Sequence, residues 1–182
     1  MTGQSLGRPI YRGLADKLWF NALWFQCFWL CAVLGRGPMV PVLAILLAVH
    51  LWLVPHRVHE LLWTVPIALL GIAVDAGLSL ADVYRFPGDV VLPLWLMGLW
   101  LAFATTVRRS LGFLTRHPAL VWIAGAVALP FNYWAGQRLG AVEFGLPLPQ
   151  TLALLAVIWL VVLPLMYRLA ARHSAEALKP CY

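Results

Sequence analysis

An all-α, polytopic transmembrane helical bundle of six spans, with both termini cytoplasmic, is predicted by three observations. The 182 residues are 63% hydrophobic and only 11% charged, too few polar side chains to cover a soluble globule of this length. Apolar runs of spanning length alternate with short segments rich in Gly, Pro, Arg and His. The Lys and Arg residues fall unequally on the two alternating sides of those runs. The lipid bilayer is therefore the expected solvent, and ten Trp, eight Phe and five Tyr suit helix ends at headgroup level.

Residues 1–17 read as a cytoplasmic N-terminal segment, with Arg8, Arg12 and Lys17 ahead of the first apolar run. That run is long and aromatic and no small-x-small cleavage site follows it, so an uncleaved first span is expected rather than a signal peptide. The membrane domain, 18–169, divides into spans at about 18–34, 39–54, 61–83, 91–107, 119–135 and 150–169. Gly35 to Pro38 make the first turn, and Pro41 sits at the start of the second span, where a missing N–H is tolerated. Pro55 ends that span, and His56, Arg57, His59 and Glu60 read as a polar loop. Tyr84 to Val90 carries turn chemistry, Pro118 opens the fifth span, and Pro130 is expected to kink it. Residues 170–182 close the chain as a polar cytoplasmic tail, expected to be exposed. No internal repeat or second domain is apparent.

Alternate-side counting tests this division. Arg8, Arg12, Lys17, Arg57, Arg108, Arg109, Arg116, Arg168, Arg172 and Lys179 make ten on one side, against Arg36, Arg85 and Arg138 on the other. Such an asymmetry places both termini in the cytoplasm, and an odd number of spans would remove it.

Asp75 stands near the middle of the third run, where an ionised carboxylate costs about 2.5 to 3.5 kcal/mol on insertion scales and so points inward to a partner. His50 and Asn132 fall at similar depth by helical rise and are expected to meet it. Asp75 serves either an interior site or neutral structural bonding between helices. Asp82 lies seven residues on, nearly two turns along the same face. With Arg85, Asp89, Arg138 and Glu143 it forms an outer polar layer, which either binds a phosphate or carboxylate headgroup or pairs internally at the interface. Asn21, Gln26, Cys27 and Cys31 are the polar groups of the first span, and Asn21 joins Asp75, His50 and Asn132 as a candidate for the intramembrane polar site.

Several chemistries find no support. The basic residues are scattered and form no face with base-stacking aromatics, which argues against nucleic acid. Cys27, Cys31 and Cys181 offer neither a disulfide framework nor a zinc spacing, and the two in-span thiols read as small packing residues. One in-span histidine does not make a haem site, so no cofactor or metal is expected. No Gly-x-Ser-x-Gly, His-Glu-x-x-His or phosphate-cradling loop is present, so no catalytic residue is assigned.

Three stretches read together: Asn21 to Val33, Pro93 to Thr105 with Trp95 and Trp100, and Gly125-Ala126 followed by Pro130, Tyr133, Gly136, Leu139 and Gly140. Their order resembles the bacterial inner-membrane family known as domain of unknown function 2878, over roughly Asn21 to Leu169. The resemblance implies a small multi-pass inner-membrane protein without an established activity, and points toward lipid chemistry. It picks out Asn21, Asp75, Trp95, Trp100, Tyr133 and Gly136 as matching positions, with the two Trp residues expected to pack.

The expected function is binding, or help in processing, of a lipid or amphiphile in a bundle cavity lined by Asp75. A small proton-coupled transporter titrating Asp75, and a scaffold holding a membrane-protein partner on its Trp-rich faces, are the alternatives. The lack of inverted repeats weighs against the former.

Overall fold

The computed structural model describes residues 14–176. Arg8, Arg12, Lys179 and Cys181, together with the side chain of Arg172, lie outside the described residues. Helices account for most of the described residues: α1 (Leu18–Gly35), α2 (Val40–Leu53), α3 (Arg57–Leu80), α4 (Leu94–Val107), α5 (Pro118–Ile123), α6 (Leu129–Arg138) and α7 (Leu148–Glu176). A π-helical turn, Ala124–Ala128, joins α5 to α6, so that Pro118–Arg138 is one rod. Two short strands, β1 (Tyr84–Arg85) and β2 (Glu143–Phe144), pair antiparallel with Tyr84 opposite Phe144 and Arg85 opposite Glu143. Among the described residues the chain therefore forms six helical rods.

Four of these, Leu18–Gly35, Arg57–Leu80, Pro118–Arg138 and Leu148–Ala171, are long and apolar enough to cross a membrane. The segments Gly37–Leu53 and Leu94–Val107 are apolar but shorter. Fourteen residues of α4 reach only about 21 Å at 1.5 Å per residue, against a hydrocarbon core of about 30 Å. α4 is nonetheless the inner rod, packed against α1, α2 and α3, and nine of its side chains are buried. The outward faces of the other helices are apolar as well, with Trp19, Ile45, Leu62, Phe131 and Val157 all exposed. Helices that are hydrophobic all round are the pattern of a bundle whose surroundings are themselves apolar.

Helix boundaries follow local chemistry. Pro41 and Pro118 sit in first turns, where no backbone N–H is needed. At the end of α3, the Val83 N–H donates to Leu78 O and the Asp82 N–H to Ser79 O, with Asp82 in the left-handed region at φ 59°. At the end of α6, the Ala141 N–H donates to Gly136 O and the Gly140 N–H to Gln137 O, with Gly140 at φ 71°. Both are Schellman caps, which satisfy the last carbonyls and turn the chain sharply. The two caps face one another because β1 follows the first and β2 the second; the Gly145 N–H closes the ribbon by donating to Val83 O.

Three expectations change. Arg57, His59 and Glu60 are not in a loop: α3 begins at Arg57, and Glu60 is a buried residue of its first turn. The last helix runs through Ala170 to Glu176, and Ala170 is buried rather than exposed. Pro130 stands immediately after the π-helical turn, so that turn, which widens the backbone ahead of the proline, carries the irregularity of the fifth rod.

Gly125 lies inside the π turn and is buried. A Cβ built on it falls 2.3 Å from Trp159 O of α7, so the two rods touch backbone to backbone there. Gly125→Ala is expected to lower the thermal unfolding midpoint of the purified chain in detergent, since overpacking costs about 1–3 kcal/mol. A midpoint equal to wild type would contradict this contact.

Candidate functional site

Asp75 is fully buried on α3, and three neutral donors converge on it. Tyr84 Oη of β1 donates to Oδ1 at 2.6 Å, Tyr133 Oη of α6 donates to the same oxygen at 2.5 Å, and Trp100 Nε1 of α4 donates to Oδ2 at 2.7 Å. The indole N–H can only donate, and both phenols are oriented as donors, which suits an acceptor-only carboxylate. Gly71, one turn earlier on α3, makes room for this: a Cβ there would fall 2.4 Å from the Trp100 ring. Trp159 of α7 closes the far side, stacked on Trp100 at 5.0 Å and on Tyr133 at 6.1 Å between ring centroids. Tyr84 and Tyr133 stack on each other at 5.6 Å. Five elements thus meet at one carboxyl group.

His50 and Asn132 do not join Asp75. α2 ends at Leu53, so His50 is close to the helix terminus rather than at mid-depth. Its Nε2 lies 3.2 Å from Glu60 Oε1, and Glu60 is fifteen residues before Asp75 on α3, about 22 Å along the axis. Asn132 has the right depth but does not reach Asp75: it is exposed on the side of α6 that lines an aromatic cavity, its Nδ2 donating to Ala128 O of its own rod at 2.7 Å. Tyr133, about 100° further round the helix, takes the inward position instead.

A second polar centre forms at the opposite end of α3. Arg109 donates through Nη1 and Nη2 to the two Glu60 oxygens at 2.5 and 2.8 Å, and through Nε to Asp16 at 3.1 Å. Glu60 is 3% exposed, so this fork and His50 together hold a buried carboxylate. Asn21 accepts from both the backbone N–H and the Oγ of Ser110, at 3.3 and 2.7 Å, and belongs to this end rather than to the Asp75 site. Arg108 lies over the Trp63 ring at 4.6 Å.

The outer layer assembles on the β ribbon. Arg85 makes a two-pronged pair with Asp82, at 2.5 Å for each contact, and faces Glu143 across the strands. The hydrogen bonds from Arg85 hold the Asp82 carboxyl below its usual range. Asp89 and Arg138 are exposed on the neighbouring turns. Cys27 is exposed and Cys31 half-buried on α1.

A cavity of about 120 Å³ lies between α1, α4 and α6. Phe25, Trp29 and Val33 form one wall, Trp95, Leu99, Trp100 and Phe103 the second, and Leu129, Asn132, Tyr133 and Gly136 the third. Asp75 does not line it, contrary to expectation, because Trp100 and Tyr133 stand between the carboxylate and the space. Sequence reasoning took Trp100 for a packing residue; its indole N–H is a direct partner of Asp75. Glu60 was missed as a site residue because His56 to His59 gave its surroundings the look of a loop.

These features define a class: an all-α bundle of membrane-protein type, organised on a buried carboxylate and enclosing an aromatic cavity. The chain belongs to the family of proteins of unknown function DUF2878, whose model matches residues 18–165. Comparison with curated proteins and with solved structures gave no match.

Asp75→Leu is expected to destabilise the protein strongly, since each of the three orphaned donors costs about 1–3 kcal/mol. Asp75→Asn, which keeps an acceptor oxygen, is expected to fall between Asp75→Leu and wild type. Thermal unfolding in detergent checks the order, and equal stability of all three proteins would refute the structural role of the carboxylate.

Proposed function

We propose that this chain is a multi-pass protein of the bacterial inner membrane that holds the apolar part of a lipid or other amphiphile in the cavity between α1, α4 and α6. The observation carrying this reading is the cavity itself, walled by aromatic and aliphatic side chains with Asn132 as the polar exception, beside helices with apolar outer faces. Its volume is close to that of apolar cavities that take a benzene-sized guest. Space of that kind suits a segment of hydrocarbon and has little to offer a hydrated headgroup.

Asp75 supports the cavity from behind: it fixes the Trp100 and Tyr133 rings that form part of the wall. A six-span course with both termini cytoplasmic is favoured by the alternation of the rods. Glu60 meets Arg109 at one end of α3, while the ribbon after Leu80 and the Arg36 contact with Leu139 gather the other turns. The short α4 fits this course because it is shielded by its neighbours along its length.

Leucine placed at Gly136 or Ala141, both on the cavity wall, is expected to fill the space. Native mass spectrometry of the purified full chain should then show a retained amphiphile in wild type and loss of most of it in Gly136→Leu and Ala141→Leu, with helical circular dichroism preserved. Equal retention by the filled variants would overturn the cavity as the binding place. For topology, Val90→Cys and Phe113→Cys, both at exposed positions, are expected to label from opposite sides of the membrane in a background without Cys27, Cys31 and Cys181. Labelling from one side would contradict the six-span course.

A further inference from the structure

We infer that the ligand of the aromatic cavity carries an anionic head, a phosphate or a carboxylate, and that Arg36 receives it; this rests on the amphiphile reading above. Arg36 follows the last residue of α1, and its backbone N–H donates to Ala32 O. Its Nη2 donates to Leu139 O at 2.7 Å. Val33, on the turn of α1 before it, lines the cavity, and so do Gly136 and Ala141, which flank Leu139. Arg36 does not itself line the cavity; through the Leu139 contact its guanidinium bridges the end of α1 and the turn after α6, next to the residues that do.

What sets Arg36 apart among the described residues is a half-buried guanidinium without a counter-charge; Arg57, Arg108, Arg116, Arg138 and Arg168 also lack an ion pair but are exposed. Arg85 is taken by Asp82 and Arg109 by Glu60 and Asp16. Arg36 is half-buried and makes no ion pair among the described residues, and its Nε is buried without a hydrogen-bond partner. A guanidinium has five N–H donors in a planar fork matched to phosphate and carboxylate oxygens, and the Leu139 carbonyl engages only one nitrogen. Nearby acids do not cancel it, since Asp82 is bound by Arg85 and Glu143 faces Arg85 across the ribbon. Arg138, exposed beside Leu139 in sequence, adds positive charge to the same turn. A tail lying among Trp29, Trp95 and Tyr133 would bring its head to this place.

The test uses the purified full chain in nanodiscs of a zwitterionic lipid and three probes with the same tail: dodecyl phosphate, dodecanoate and uncharged dodecyl glucoside. Wild type is expected to bind at least one anionic probe about tenfold tighter than the glucoside, the scale of one charge-assisted hydrogen-bonded contact. Arg36→Gln should erase that preference while keeping glucoside affinity, and Arg36→Lys should retain part of it. Preference for phosphate over carboxylate identifies a phosphorylated lipid as the source of the head, and the reverse a fatty acid. Equal binding of all three by wild type, a preference that survives in Arg36→Gln, or an equal loss of all probes in that variant would overturn the role of Arg36 and leave the cavity reading standing. Absence of binding by every probe to wild type would overturn the cavity reading, and this inference with it.

Discussion

The Asp75 carboxylate, removed from water and matched with three neutral donors, is the constraint from which the rest of the bundle follows. A carboxylate in hydrocarbon is costly unless its lone pairs are satisfied. Here the satisfaction comes from three elements other than α3: a phenol from the β1 ribbon, a phenol from α6 and an indole from α4. Each donor sits on a large aromatic ring, so satisfying one charge also fixes the position of three rings. Trp159 then packs across two of them and ties in α7. A single polar group thereby determines the relative placement of most of the fold, which apolar helix faces cannot do, because one greasy face packs about as well as another.

Two backbone features make this convergence feasible. The π turn at Ala124–Ala128 adds to the helical winding ahead of α6, and it brings Tyr133 rather than Asn132 to the interior. Within the same turn Gly125 lets α7 approach at the level of Trp159. Opposite, the Schellman cap at Asp82 reverses the chain soon enough for Tyr84, nine residues after Asp75, to reach back to it. The ribbon with β2 holds that reversal in place. The cavity is a consequence of the same arrangement: the rings held rigid around Asp75 cannot collapse into the neighbouring space between α1 and α6.

Much of this was legible in the sequence and some was not, for reasons that can be named. The helices were readable because apolar runs broken by Gly, Pro and Arg leave few other solutions for a chain of this composition. Asp75 stood out because an acid in such a run needs a partner. The partner's identity was hidden, since depth counting gives the height of a residue and not its direction around the helix. Asn132 and Tyr133 differ in height by only about 1.5 Å, and their directions, about 100° apart, decide that Tyr133 bonds Asp75 while Asn132 does not. His50 was misplaced for a different reason, because α2 is short and its termini do not sit where a full-length span would put them. Glu60 was hidden by the two histidines that precede it, His56 and His59, which imitate a loop, and its partner Arg109 is forty-nine residues away.

The two buried acids show how the fold divides its charges. Glu60 is held by an arginine fork and a histidine at one end of α3, a centre that is ionically complete and in which Arg109 also spans to Asp16. Asp75 is held by neutral donors only, so its charge is dispersed over hydrogen bonds and screened from the cavity by the rings that donate them. Each carboxylate accepts three hydrogen bonds from within the protein. Arg36 is the contrasting case, a half-buried cation that lies beside the cavity and uses little of its donor capacity. In the proposed reading, recognition of an outside molecule falls to the apolar space and to Arg36 beside it. In that reading the buried carboxylate builds the site by fixing the Trp100 and Tyr133 rings.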